Sequence, residues 1–138
     1  MTTPVVFPYR TVPGPVPILR PLVPIVLARG SRSLSELGLV DSGADACVLP
    51  YSMGLRLSLD WNTQPALPSP GGVVGNTPGR GAMLEATIQP FPPVRLGFLW
   101  LQRDDLPLIL GQANFFMEFD VCFFRARGVF QLQPAATP

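Results

Sequence analysis

The sequence predicts an all-β domain, and three features of its 138 residues point to that class. Apolar residues alternate with other residues through 83–89 and 94–101, which is the period of a strand. The 18 prolines and 13 glycines divide the chain into short segments. A one-sided apolar set at helical spacing, Phe115, Phe116 and Phe119, indicates one short helix. Many short strands with one short helix favour a single all-β domain.

The N-terminal segment is dominated by proline, because seven of the 18 prolines lie between positions 4 and 24. Proline removes a backbone donor and fixes φ, so we expect residues 1–18 to be an extended, irregular arm. The next apolar run is predicted to be a strand that Pro21 and Pro24 confine to the edge of a sheet. The domain itself is expected to span 19–133.

The rest of the chain is read from the same signals, with loops where glycine, proline and polar residues cluster. Polar turns are expected at 29–35 and 103–105, a loop at 60–70, a flexible segment at 71–81 and a frayed tail at 134–138. The predicted strands are 22–27, 37–40, 83–89, 94–101 and 106–110, the predicted helical segments are 50–57 and 113–119, and a final hairpin joins 121–124 to 129–132.

The composition excludes several classes of function. Only 14% of residues are charged and 47% are hydrophobic, which indicates that a partner covers some apolar surface. A net charge of +1 makes nucleic acid an unexpected partner. Without histidine, the chain has no Ser-His or Cys-His catalysis and no His-ligated metal. Cys47 and Cys122 are too few for a zinc site, so we expect no metal or cofactor. We expect two buried thiols, with a disulfide between them left open.

Membrane association is not expected either. No apolar run approaches the ~18 residues that a membrane-spanning helix needs. The first residues lack the basic and apolar regions of a signal peptide, which leaves a cytoplasmic location as the expectation.

One carboxylate stands where an apolar strand meets a glycine turn, because Asp41 is followed at once by Ser42 and Gly43. Burying an unpaired charge is costly, so a carboxylate in apolar surroundings suggests a site. Two carboxyl groups about 3 Å apart share one proton, so one can accept a proton from water while the other donates one. The Asp-Ser-Gly string occurs once, so one chain would hold half of such a pair. The alternative is an Asp that caps a turn.

The motif has a family resemblance. Residues 39–45, Leu-Val-Asp-Ser-Gly-Ala-Asp, are similar to the active-site motif of the retropepsins, the retroviral-type aspartic proteases. Residues 108–111, Leu-Ile-Leu-Gly, resemble the second motif of that family, which packs under the active-site loop. The two motifs occur in the family's order, and the spacing leaves room for the family's glycine-rich flap at 71–81.

The resemblance implies a closed, mostly β barrel with one short C-terminal helix, working as a homodimer on an extended peptide or protein substrate at acid pH. Asp41 from each chain would form the catalytic pair, with no cofactor. The other site residues that the resemblance implies are the active-site loop Ser42, Gly43, Ala44 and Asp45, the flap Gly71, Gly72, Val73, Val74 and Gly75, the substrate pocket Pro107 and Ile109, and the second motif Leu110 and Gly111.

Two departures from the family pattern predict a cellular or bacterial relative with its own dimer contacts. Gln112 stands where viral members commonly carry an Arg that braces the acid after the active-site Ala, so a weaker brace on Asp45 is expected. The proline-rich arm does not suit a dimer-forming strand. Other readings stay open: an inactive dimerisation or peptide-binding module, a self-processing polyprotein fragment, a purely structural Asp45, a core Ile109, and an ordinary loop at 71–75.

Overall fold

The computed structural model describes residues 3–67 and 77–136, and most of these lie in strands. In chain order the elements are β1 (Val5–Pro8), β2 (Arg10–Val12), β3 (Ile18–Arg20), β4 (Leu22–Arg29), β5 (Arg32–Val40), β6 (Cys47–Leu49), α1 (Tyr51–Arg56), β7 (Ala66–Leu67), β8 (Gly79–Thr87), β9 (Val94–Leu101), β10 (Ile109–Leu110), α2 (Phe115–Glu118), β11 (Phe119–Phe124) and β12 (Val129–Pro134).

Six strands close into a barrel in the order β4, β5, β10, β6, β9 and β8, because β8 pairs again with β4. β4 pairs with only the last part of β8, and β7 pairs with Gly79 and Arg80 at its start. The all-β barrel that the sequence and the resemblance predicted is therefore confirmed. The edge position predicted for residues 22–27 is wrong, since β4 has partners on both sides. Pro24, which has no N–H, lies where β4 pairs with β5 alone; pairing with β8 starts at Val26.

The N-terminal arm is extended, but it is not irregular. β1 pairs with β12, which also pairs with β11, so both ends of the chain form one three-stranded sheet. β2 and β3 form a separate two-stranded hairpin. Strands are possible here because Pro13, Pro15 and Pro17 lie between β2 and β3, where the ladder needs no N–H donor. The domain boundaries proposed from the sequence stay a prediction.

The core is apolar throughout, and no polar or charged residue of the described segments is buried. Its largest fully buried side chains include Trp100 from β9, Phe115 from α2 and Phe130 from β12. The chain termini therefore cover the barrel in addition to pairing with each other. Every backbone N–H or C=O inside this core must find its partner in the backbone ladders, which is why sheet closure and burial depend on each other.

Several boundaries differ from the sequence prediction for local reasons. β5 begins at Arg32 because Gly30, with φ +59°, makes a tight turn where a longer one was expected. α2 is only four residues long, since Phe119 is already extended and opens β11. Residues 94–101 form β9 as predicted, and the final hairpin has a 3₁₀ turn at Arg125–Arg127 followed by Gly128 with φ +67°. None of the helices in the described part of the chain is long and apolar enough to cross a bilayer.

The helix α1 packs on β9 through a glycine. The Trp100 indole N–H donates to the Tyr51 carbonyl at 3.1 Å, and the two rings stack with centroids 5.5 Å apart. A Cβ at Gly54 would overlap the Trp100 indole. Only a residue without a side chain fits here.

We predict that Gly54→Ala lowers the free energy of unfolding by about 1–2 kcal/mol, although alanine is the better helix former. The overlap with Trp100 must push α1 off the barrel. Leu55→Ala is the matched control, because Leu55 is 48% exposed on the same helix, and it should change stability by less than about 0.5 kcal/mol. Urea denaturation followed by tryptophan fluorescence measures both. Equal stability of the two variants would contradict the packing argument.

Candidate active site

Asp41 is the first residue beyond β5, and it is half-buried at the open end of that strand. Pro21, just before β4, holds this end in place, because the Val40 N–H donates to the Pro21 carbonyl at 3.0 Å. The Asp41 carboxylate turns back on its own loop, where its Oδ1 accepts the Gly43 N–H at 3.0 Å. The Ala44 N–H donates to the Asp41 carbonyl at 3.2 Å. Asp41 therefore both starts the turn and presents its carboxylate outside the core.

The second motif lies directly beside this loop. β10 pairs parallel with the last two residues of β5, Ile109 with Leu39 and Leu110 with Val40, and pairs antiparallel with Val48 on its other side. The Asp41 N–H donates to the Leu110 carbonyl at 3.0 Å. The position of Asp41 is thus fixed by a backbone bond to the motif predicted to pack under it.

Backbone pairing continues past the ends of these strands. The Gln112 N–H donates to the Ala44 carbonyl at 2.8 Å, the Ala113 N–H to the Asp45 carbonyl at 3.0 Å, and the Cys47 N–H to the Ala113 carbonyl at 3.1 Å. The active-site loop is therefore hydrogen-bonded along most of its length to the residues that follow β10. A loop held at this many points can keep a carboxylate in one place.

Gly111 lies where the segment that follows β10 comes close to the active-site loop. A Cβ at this position would overlap the Ala46 carbonyl and would lie 2.8 Å from the Ala44 carbonyl oxygen. The Gly111 N–H instead donates to the Cys47 Sγ at 3.4 Å. Burial raises the pKa of the Cys47 thiol, so this sulfur remains protonated at neutral pH and acts as a packing group. Both cysteines are free, but Cys122 is exposed where a buried thiol was expected.

The Gln112 side chain holds the active-site loop through a contact that the sequence did not predict. Its side-chain N–H donates to the Ser42 carbonyl at 2.9 Å, on the residue next to Asp41. Asp45 and the Ser42 side chain are both exposed. A neutral amide therefore holds the loop backbone at Ser42, whereas the resemblance implied a brace on Asp45.

Asn114 is a structural residue of the site that the sequence analysis missed. Its side-chain oxygen accepts the Gly97 N–H at 2.8 Å, and its side-chain nitrogen donates to the Arg95 carbonyl at 2.9 Å. These bonds attach the start of α2 to β9. A polar residue just before a short apolar helix was the available signal, but its partners lie 17 and 19 residues away and could not be read from the sequence.

A cavity of about 270 Å³ opens beside Asp41 and Ser42. Its wall includes Tyr9, Arg20 and Phe123, none of which was predicted as a site residue. Tyr9 follows β1 and Phe123 lies in β11, and both of these strands belong to the sheet that joins the two ends of the chain. That pairing is a long-range property, which local patterns do not reveal.

The other predicted site residues differ in how deeply they are buried. Ile109 is 8% exposed and belongs to a small apolar cluster with Val48, Leu99 and Leu101, whereas Pro107 is exposed. The predicted pocket role of these two residues stays a prediction. The flap residues, 71–75, lie outside the residues that the structure describes. On either side of them, β7 and β8 pair antiparallel, Leu67 with Gly79.

Metal ligands are not concentrated near Asp41. Within residues 3–67 and 77–136, no group of three or more Cys, Asp or Glu side chains is placed to hold a metal ion. The chemistry available at the site is that of a carboxylate, a hydroxyl and backbone amides.

Of the comparisons with known proteins, the one with solved structures bears on the fold. No family model matches the sequence, and no curated protein is significantly similar to it. The crystal structure of a retropepsin-like aspartic protease from Rickettsia conorii superposes with a TM-score of 0.69 at 11% identity, covering 96% of this chain and 91% of that chain. EIAV protease complexed with the inhibitor HBY-793 gives a TM-score of 0.49 at 23% identity, over 67% of this chain and 82% of that chain. The first likeness shows that this chain has a retropepsin-like fold.

We predict that Gly111→Ala destabilises the protein by at least about 2 kcal/mol, because its Cβ meets backbone carbonyls that cannot rotate away. Gly14→Ala is the control: its Cβ would have only the Val16 carbonyl nearby, at 3.9 Å. Thermal and urea unfolding of the two variants give the comparison. If Gly111→Ala unfolds like the wild type, the close approach of Gly111 to the active-site loop does not require glycine at this position.

Proposed function

We propose that the protein is an aspartic endopeptidase, active as a homodimer in which the Asp41 carboxylates of two chains share one proton. The observation that carries this proposal is the placement of Asp41: a carboxylate at the open end of a strand, in a loop held by backbone bonds to β10, on a retropepsin-like fold. The likeness supports the fold, and the chemistry is argued from the carboxylate itself.

The proposed reaction needs no covalent intermediate. A water molecule held between the two carboxyl groups loses a proton to the ionised one as it attacks the peptide carbonyl. The protonated carboxyl group donates to the carbonyl oxygen as charge develops there. When the tetrahedral species collapses, the carboxyl group that took the proton from water gives it to the leaving nitrogen, the C–N bond breaks, and a hydroxyl of the tetrahedral carbon returns its proton to the other carboxylate. The pair returns to its singly protonated state. Because activity needs this state, the rate would fall on both sides of a bell-shaped pH profile.

The roles of the surrounding residues follow from their contacts. Gly43 donates its N–H to Asp41 Oδ1 and so orients the carboxylate. Gln112 holds the Ser42 carbonyl, which limits the movement of the loop. We propose an extended peptide substrate, bound partly through main-chain hydrogen bonds in the manner of an added strand. Apolar substrate side chains would be favoured near the scissile bond, because the cluster around Ile109 leaves little polar surface beneath the loop.

We predict that Asp41→Asn abolishes peptide cleavage, with kcat/KM falling at least about a thousandfold, or ~4 kcal/mol in the barrier. An amide cannot accept the proton from water. Asp120→Asn is the control, because Asp120 is an exposed acid in β11, and its kcat/KM should be unchanged. Circular dichroism of both variants should match the wild type. Cleavage by purified Asp41→Asn protein would rule out the mechanism, and a wild type that binds peptides without cutting them would favour the binding-module alternative.

We predict that specific activity falls on dilution. One Asp-Ser-Gly motif per chain means that the site is complete only in a pair, and two-fold symmetry is the commonest way to form one. Activity per milligram should decrease through the concentration at which sedimentation velocity shows the dimer dissociating. A monomer with undiminished specific activity would exclude the shared site.

A further inference from the structure

A cavity of about 640 Å³ lies on the outer surface of β8 and β9, and we propose that it is a subsite for a large apolar side chain of a peptide substrate. We call it the apolar cavity, and we call the one beside Asp41, of about 270 Å³, the acid cavity. The proposal rests on the proposed function, because it names the class of peptide that Asp41 would cut. That class carries a large apolar residue about four to six residues from the scissile bond.

Two glycines make room for the apolar cavity. Gly81 of β8 pairs with Leu99 of β9, and Met83 pairs with Gly97. Directly opposite residues share a face of a sheet, as do residues two positions apart, so these four lie together with the glycines at opposite corners. A Cβ on Gly97 would lie 3.2 Å from Met83 Sδ, and one on Gly81 would lie 3.3 Å from Pro65 Cγ. The space that two side chains would fill is therefore part of the cavity.

The wall of the apolar cavity is held by backbone bonds and carries little polarity. The Gly81 N–H donates to the Pro65 carbonyl at 2.8 Å, and β7 pairs with the start of β8. Leu67 and Met83 line the cavity and are 41% and 53% exposed. Among the described residues of the wall, only Gln64 has a polar side chain. Cavities of this size with mostly apolar walls are typical ligand sites, and a wall without a charged group disfavours a charged side chain.

One row of paired residues joins the two cavities across the sheet. Leu39 pairs with Ile109, and Ile109 pairs with Val48. Val48 pairs with Leu99, and Leu99 pairs with Gly81. Paired residues share a face, so the whole row lies on one surface of the barrel. Leu39 lines the acid cavity, whereas Leu99 and Gly81 line the apolar cavity. A peptide that crosses this surface therefore meets both cavities.

The active-site loop makes the same connection. Asp41 lines the acid cavity, and Ala46, five positions later, lines the apolar cavity. Ala44, between them, packs on the small apolar cluster to which Leu99 belongs. The loop that carries the proposed catalytic acid thus ends in the wall of the apolar cavity. A peptide held along this loop is therefore the occupant that the geometry favours.

Strand spacing gives the distance between the two cavities. Neighbouring strands lie about 4.8 Å apart, so Leu99 lies about 14 Å and Gly81 about 19 Å from Leu39, measured along the sheet. An extended peptide rises about 3.3 Å per residue and covers these lengths in about four to six residues. A substrate with its scissile bond at Asp41 would therefore place a side chain from that distance in the apolar cavity.

The first test measures which peptides are cut. The wild type is incubated with a mixed peptide library, and mass spectrometry of the products identifies the residues around each cut. Large apolar residues should be enriched about four to six residues from the cut. Two synthetic peptides then differ at that position alone, with phenylalanine in one and alanine in the other. We expect kcat/KM to favour the phenylalanine peptide at least about tenfold.

Met83→Glu tests the cavity itself, because it places a charge at the apolar wall. In this variant the ratio of kcat/KM between the two peptides should fall to within about twofold of one, and Met83→Leu should retain the wild-type ratio. Leu55→Glu is the matched control, because Leu55 is also an exposed apolar residue but lies on α1, outside the cavity wall. It should keep the wild-type ratio.

A second readout does not depend on cleavage. N-acetylphenylalaninamide should shift the methyl NMR signal of Met83, and N-acetylalaninamide should not. The signal of Met117, which is 70% exposed on α2, is the internal control and should not respond to either compound.

The two readouts separate the subsite from the proposed activity. Cleavage without a preference at the stated distance, or a wild-type ratio in Met83→Glu, would overturn the subsite and leave the endopeptidase standing. An unshifted Met83 signal would also overturn the subsite. A protein that cuts no peptide although the Met83 signal shifts would overturn the endopeptidase and support the cavity as a site for an apolar side chain.

Discussion

The close approach of Gly111 to the backbone of the Asp41 loop is the contact on which the rest of the structure depends. Here two segments of chain come so close that a Cβ would overlap the Ala46 carbonyl. The approach allows β10 to lie between β5 and β6, which is one of the pairings in the closed barrel. It also allows the hydrogen bonds from Gln112 and Ala113 to the loop carbonyls. The joining of β5 to β6 through β10 and the placement of Asp41 therefore depend on the same crossing.

The loop is held almost entirely by backbone groups, and this suits a site next to an apolar core. No polar or charged side chain of the described segments is buried, so no ion pair competes for Asp41 from inside. Backbone amides satisfy the loop without adding charge near the carboxylate. Gln112, which donates to the Ser42 carbonyl, extends this arrangement with a neutral side chain. The carboxylate itself remains half-buried.

The sequence predicts the parts of this structure that local patterns encode. The alternation in 94–101 identifies β9 at its observed bounds, and the Gly111 that follows an apolar run marks the crossing. What the sequence does not reveal is pairing between distant segments. Proline content predicts an irregular arm, yet β1 pairs with β12, because seven prolines spread over 21 positions still leave three-residue runs with free N–H groups. Tyr9, which follows β1, and Phe123, which lies in β11, both line the cavity beside Asp41.

The proposed chemistry and the proposed assembly are linked by desolvation. In one chain the Asp41 carboxylate is half-buried and lines a cavity that is open to water. In the proposed dimer, docking of a second chain would supply the other carboxyl group and would remove water from both in the same step. The low local dielectric then favours the singly charged pair over two separate charges. A free chain would carry no partly active site, so cleavage would begin only where two chains meet, and the strength of the interface would set where that occurs.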